Sequence, residues 1–342
     1  MRSGSISFSS RYTLRRILTA VLVLVGMSLI TFVLVNVIPA DPIKYAAGPN
    51  ATAEIVANMR REWGMDRPLP EQYVRYVIRL VHGDLGVSIM SRRAVLDDLR
   101  DYFPATLELA IVAFLLTLLI GVSLGLFSAA RGGGTDTIVP LAGVFGGAIP
   151  IFWLGIMLQL VFYLRLGWLP AGGRLGQDQV DALRVITGSM LLDAILQRQW
   201  SILFDALKHL ILPAVALSLG PIAIIARIAR ASAREIFGQD FVRTAQAKGL
   251  SSRRVLWVHV LKPASIPILT TLGSQFGYML SGSFLVETIF QWPGIGRYTI
   301  LAITAVDFPA IMGATLLVSV TFLTVNFLVD MLYVWVDPRI KY

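Results

Sequence analysis

The groups that could perform chemistry are sparse. Five lysines, Lys44, Lys208, Lys248, Lys262 and Lys341, could grip a nucleotide phosphate, yet none follows a glycine in the GxxxxGK[ST] spacing of a phosphate-cradling loop. The histidines His82, His209 and His259 stand far apart, with no H-x-x-x-H pair to hold a metal. Without cysteine there is no thiolate nucleophile, no Cys-ligated metal and no disulfide framework. The chain is therefore not expected to be an enzyme or to bind a cofactor of its own.

Ionisable groups are just as scarce where an ion-coupled carrier would need them. The centres of the apolar runs are almost free of charge, and Arg165, Lys208 and Asp330 lie toward run ends. Glu108, close to the end of its run, is expected to face the interface rather than mark an ion path. Ser274, Gln275, Ser281 and Ser283 share one apolar run, where they either bond between helices or line a wet path.

The remaining chemistry-bearing stretch is a loop at 227–262. It holds Arg227, Arg230, Arg234, Arg243, Lys248, Arg253, Arg254 and Lys262 against only Glu235 and Asp240. Arg227, Arg230 and Arg234 share one face of a helix that continues the preceding span, and Gly238 permits a turn. A second, short helix restarts at Asp240 and stops at Gly249. Its Ala245 and Ala247 let another surface approach closely, and Lys248 complements the dipole at its C-terminal end.

These features need elements to position them, and composition says what kind. Of 342 residues, 56% are hydrophobic and 15% charged, and the mean hydropathy is +0.70, outside the range of soluble domains. The net charge of +9 sits in particular loops, as the positive-inside bias requires, so nucleic acid is not an expected partner. Spans are expected at 17–38, 104–130, 138–166, 207–228, 264–286 and 309–334. The first, preceded by Arg11, Arg15 and Arg16, is too long for a signal peptide and is read as retained. Prolines at 213 and 221 predict kinks in the fourth, and Pro104 is read as opening the second.

The intervening segments fit an outer face. Residues 39–104 carry nine basic and nine acidic residues and no inward bias. Within them Ile55, Met59 and Trp63, then Tyr73, Val77 and Leu80, recur at helical spacing either side of Arg67-Pro68. Two surface-lying amphipathic helices are expected there. Residues 174–206 and the loop 287–308, around Trp292, Pro293, Gly294, Gly296 and Arg297, are assigned to the same side. Trp168 is an interfacial anchor. The result is an all-α membrane protein of six helices with both termini cytoplasmic. Residues 1–38 form its N-terminus and first span, 39–104 an external segment, and 105–342 a core of five spans.

Arg243-Thr244-Ala245-Gln246-Ala247-Lys248-Gly249-Leu250 resembles the EAA loop of ABC importer permeases. HGDLGVS (82–88), PATLELA (104–110), LGWLPAGG (166–173), FQWPGIGR (290–297) and the terminal DPRIKY extend the resemblance along the whole chain to B-type subunits of the dipeptide/oligopeptide permeases. The loop departs from the broad pattern at one place: Arg243-Thr244-Ala245 stands where the wider superfamily has Glu-Ala-Ala, so no acidic contact to the ATPase is available there. The resemblance implies a type I importer fold in the bacterial inner membrane, with the 243–250 segment coupling to an ATPase. It also implies a second homologous permease, two ATP-binding subunits holding ATP and Mg, and a periplasmic or lipid-anchored solute-binding protein, all with surrounding lipid. Short peptides are the implied substrate. Nickel, glutathione, opines and oligosaccharides are carried by relatives of the same pattern, and a secondary carrier is the rival of a different class.

Overall fold

The computed structural model describes residues 10–37, 41–48, 50–131, 143, 146–176 and 183–336, with side chains from 14 to 331 within those ranges. Regular structure among them is helical, apart from one isolated antiparallel bridge between Val87 and Ala94. Five helical stretches are long and apolar enough to cross a bilayer: Leu14–Val37, Val95–Arg131, Trp200–Phe237, Ser252–Ile289 and Phe308–Met331. The span expected at 138–166 is seen as a shorter apolar helix, Ile151–Arg165, and its first half lies largely outside the described residues. The loop 132–136 and the terminal 337–342 lie outside them as well.

The chain divides into two compact units. Among the described residues, one takes those up to 100 together with 301–324, the other 101–300 together with 325–336.

In the first unit, α1 (Ser10–Val37) is followed by α2 (Pro42–Ala47), α3 (Ala53–Glu62) and α4 (Leu69–Val81). The short helices start where side chains can satisfy orphan amides. Asp41 accepts from the Ile43 amide at 3.2 Å, and Thr52 accepts from Ile55 at 3.4 Å. The amphipathic pair expected from the sequence is thus α3 and α4, while α2 is an addition. On α4 the inward residues Tyr73, Tyr76, Val77 and Leu80 pack with Phe32 and Val35 of α1 and with Phe308, Met312 and Leu316 of α13 (Phe308–Val336). Phe32 lies 5.3 Å from Tyr73 between ring centroids, and the Tyr73 and Ser28 hydroxyls meet at 2.9 Å. Burial, with Tyr73 adding and Arg79 opposing, pushes the Tyr76 phenol up to about 12.

The hairpin after α4 is tied to the start of α13. Asp307 is wholly buried; it accepts from Ser88 Oγ at 2.5 Å and from the Met90 amide at 3.0 Å, and its other oxygen caps α13 through the Ala310 amide at 3.2 Å.

The second unit is built on α9 (Trp200–Phe237), 61% of whose apolar window is buried against 11% for α1. Around α9 pack α5 (Val95–Leu116), α6 (Val122–Arg131), α7 (Ile151–Leu158), α8 (Met190–Leu196) and α11 (Leu261–Ile289), with α10 (Asp240–Ala247) at its C-terminal end and α12 (Ile295–Thr304) following α11. π-Helical stretches at Thr117–Gly121, Gln159–Arg165 and Val255–Val260 continue these helices without breaking them. Gly125 lets α6 lie directly on α9, since a Cβ there would stand 2.5 Å from the Ala226 carbonyl oxygen.

Two expectations change. The second span does not open at Pro104, because the helix starts at Val95 with Asp97 and Asp98 in its first turn, leaving Pro104 inside it. The loop 287–308 is not irregular throughout, since α11 extends to Ile289 and α12 occupies Ile295–Thr304.

Candidate functional site

At the end of α9 the chain makes the short α10. Gly238 before it has φ −73°, an ordinary helical value, so the turn expected there uses no glycine-specific conformation. Asp240 sits in the first turn, where its charge complements the dipole. The other end is stopped by a Schellman arrangement: the Gly249 amide donates to Gln246 O at 2.9 Å and the Leu250 amide to Ala245 O at 3.3 Å, with Gly249 at φ +77°. Val242 and Ala245 face inward, 0% and 6% exposed, into a small core with Leu126, Ala129, Ala233, Val255 and Val260. Ala245 is therefore small to fit its own chain, whereas Arg243, Thr244, Ala247, Lys248 and Gly249 form the exposed side and Leu250 is half-buried. Phe241 joins the exposed side at 47% exposure. The sequence reading left it out of the site, although the i, i+3 spacing of Val242 and Ala245 already turns it outward. The Arg243–Asp240 pair at 3.7 Å is open to solvent and contributes little.

A second constellation is a buried polar knot around the 290–297 segment. Trp292, 1% exposed, donates from its indole to Ala105 O at 2.8 Å. Thr106 Oγ1 donates to Glu287 at 2.8 Å and accepts from the Ile295 amide at 2.7 Å, while Glu287 accepts from the Arg297 amide at 2.9 Å. Close approach explains the glycines: a Cβ on Gly296 would meet Phe284 Cα at 2.4 Å, and one on Gly294 would meet Glu287 Cδ at 2.5 Å. Pro293 precedes Gly294, and the Arg297 guanidinium donates to Gln291 O at 3.0 Å.

Glu108 belongs to the same end of the unit and does not face an interface. It is 6% exposed and pairs with Arg174 at 2.5 Å, also accepting from Ser189 Oγ at 2.7 Å and the Leu191 amide at 2.8 Å. Arg174 donates as well to Gly188 O at 2.9 Å, its carbon Cζ stands 5.6 Å from the Trp292 ring centroid, and its Nε has no hydrogen-bond partner. Beside it Asp193, 1% exposed, gathers the Ile186, Thr187 and Gly188 amides and the Thr187 hydroxyl. Burial pushes its carboxyl up, but these four donors outweigh burial and hold it below the usual carboxylate range. Pattern reading missed these pairings, because no periodicity links residues 66 positions apart.

Along α11, Ser274 and Ser281 are exposed, Gln275 is half-buried and Ser283 is buried. The hydroxyls of Ser274, Ser281 and Ser283 bond back to Thr270, Tyr278 and Leu280 carbonyls of the same helix. Ser274, Tyr278 and Ser281 share one bare face at i, i+4 and i+7. Ser283 is thereby separated from that face and reads as packing. Gly121-Val122-Ser123-Leu124-Gly125 has the spelling of a hydrolase elbow but lies within continuous helix, its glycines against α9. Among the described residues no group of His, Asp and Glu could hold a metal ion.

Five helical stretches of bilayer length, a braced polar end and an exposed capped helix beyond the most buried of them define a helical membrane protein. The chain belongs to the binding-protein-dependent transport system inner membrane component family, whose model matches residues 121–342, with the family's N-terminal model matching 9–110. It is 46% identical over 94% of both chains to a probable D,D-dipeptide transport system permease protein of Escherichia coli (strain K12). It is 40% identical to the dipeptide transport system permease protein of Alkalihalophilus pseudofirmus, covering 97% of this chain and 99% of the relative. A di/tripeptide transport system permease protein of Pseudomonas aeruginosa is 41% identical over 93% of this chain and 94% of its own.

Proposed function

We propose that this chain is a permease subunit of an ATP-driven, solute-binding-protein-dependent importer of di- and oligopeptides in the bacterial inner membrane. Six spans with cytoplasmic termini form half of the pathway, and a homologous second permease forms the other half. Two cytoplasmic subunits bind and hydrolyse ATP with Mg, and an external binding protein delivers the peptide. The observation that carries the reading is α10: a helix held from beneath by Val242 and Ala245 and capped by Gly249, with its opposite side left bare. Such a helix can transmit a push from an ATPase groove to α9. The face Ser274–Tyr278–Ser281 is assigned to the pathway, and the hydroxyls of Ser274 and Ser281, satisfied by their own helix, can contact a passing peptide without being left unpaired in the empty state. Substrate crosses as ATP binding closes the ATPases and shifts the permease pair outward-open, and hydrolysis resets it.

The test is reconstitution of the chain with its partner subunits in proteoliposomes. Peptide uptake should require ATP and the binding protein. Accumulation by this chain alone on an ion gradient refutes the proposal, and so does ATP-dependent uptake untouched by Phe241→Asp.

A further inference from the structure

The first unit contains a crevice of about 750 Å³, separate from α10 and from the Ser274–Ser281 face. Its floor is apolar and aromatic: Phe32 and Val35 from the end of α1, Tyr76 from α4, and Phe308 and Met312 from the start of α13. The crevice therefore sits at the level where one span ends and another begins. Its rim is cationic, with Arg61, Arg67, Arg75 and Arg79 against Glu62 and Asp84.

Ion pairs neutralise these arginines only in part. Glu71 alone serves two of them, Arg67 and Arg75. Arg61 bonds only the neutral Asn58 at 2.7 Å, and Arg79 has no ion pair among the described residues. Next to the crevice, α1 is bare, with Leu29, Ile30, Val33, Leu34 and Val37 between 44% and 72% exposed. In a span that surface faces acyl chains.

We infer that this crevice is a binding site for a single anionic glycerophospholipid, with its phosphate on the Arg75–Arg79 rim and the upper part of one acyl chain on the Phe32–Met312 floor. A guanidinium pair above an apolar floor, opening beside a lipid-facing helix, matches a molecule with a phosphate at one end and hydrocarbon at the other. The volume lies within the range of ordinary ligand sites and admits a headgroup and its glycerol, the tails continuing along α1. The charge favours phosphatidylglycerol over zwitterionic phosphatidylcholine.

The experiment is native mass spectrometry of the complete transporter, purified with its partner subunits and titrated with phosphatidylglycerol or phosphatidylcholine. Retention of one phosphatidylglycerol at concentrations where phosphatidylcholine is lost is the expected result. Arg79→Gln should weaken it about fivefold, and Arg75→Gln with Arg79→Gln by roughly 25-fold, at about 1 kcal/mol per arginine. Arg100→Gln, an arginine 69% exposed and outside the crevice, should change nothing. A photoactivatable phosphatidylglycerol on the unaltered complex supplies a readout independent of variant folding, with crosslinks expected at Phe308, Met312 and Trp63. Equal retention of both lipids, crosslinks elsewhere, or displacement by inorganic phosphate as effective as by phosphatidylglycerol each overturns the inference, the last in favour of a free anion.

Discussion

Replacing Gly249 isolates what the α10 cap contributes. Gly249 holds φ +77°, and a Cβ built there meets nothing within 4 Å. Alanine therefore brings no clash, and its whole cost is the left-handed backbone, about 1–2 kcal/mol. Valine, branched at Cβ, should cost more, and asparagine, which tolerates this region, less. At 1–2 kcal/mol the opening equilibrium of the cap rises about 5- to 30-fold. The assay is amide hydrogen exchange on the purified complex, read at positions 249 and 250, whose N–H groups close the cap, together with peptide uptake at matched membrane abundance. The expected order of both exchange and uptake defect is Val, then Ala, then Asn, with Asn near the parent protein. Exchange in Gly249→Ala within twofold of the parent refutes the backbone argument. So does an uptake defect in Gly249→Val with an unchanged cap, which would assign the effect to bulk at a docking surface.

Other outcomes follow from the second unit. Glu108→Gln, which leaves Arg174 buried without its counter-charge, should destabilise the purified complex by about 3–5 kcal/mol, whereas Glu108→Leu with Arg174→Met should recover most of the loss in a double-mutant cycle. Gly296→Ala should cost at least about 1–3 kcal/mol in thermal unfolding, because its methyl meets backbone rather than a movable side chain. The Asp193 carboxyl, held below its unfolded value, stabilises the 186–193 turn above the ordinary aspartate pKa of about 3.9 and loses that contribution as pH falls through its lower folded value. Proteolytic cleavage in that turn should therefore appear only below the ordinary range, and should appear at neutral pH in Asp193→Asn. Phe241→Asp should leave thermal stability unchanged and weaken association with the ATPase subunits by about 30-fold, the loss of a single aromatic anchor worth ~2 kcal/mol, measured by co-purification titration.

What could be read in the sequence was what local periodicity and composition control. Five of the expected spans, the paired α3 and α4, and the stop at Gly249 follow from apolar runs, i, i+3, i+4 spacing and glycine's access to positive φ. What depends on distant partners was not legible. Glu108 looks like an interfacial acid until Arg174 and Ser189 are brought to it by the fold. Pro104 looks like a helix start until Gly188 is seen packed on its ring, 2.8 Å from an ideal Cβ, with the helix already ten residues old. The small size of Ala245 was attributed to an external groove, but it fits Ala233 and Val255 of its own chain. The bare side of α10 instead carries Phe241, which the i, i+3 spacing of the inward Val242 and Ala245 turns outward.

Helix α9 is 38 residues of unbroken helix, about 57 Å at 1.5 Å per residue. One end adjoins the buried Glu108–Arg174 knot through α8, and the other carries α10. In the coupling role proposed for α10, such a rod would act as a lever pivoted at the knot. A tilt of only ~5° about the knot swings the far end through roughly 5 Å, nearly one helical pitch. On that proposal the stroke at α10 would be set by the length of this rod and the rigidity of its hinge, so that loosening the knot should shorten the throw without touching α10.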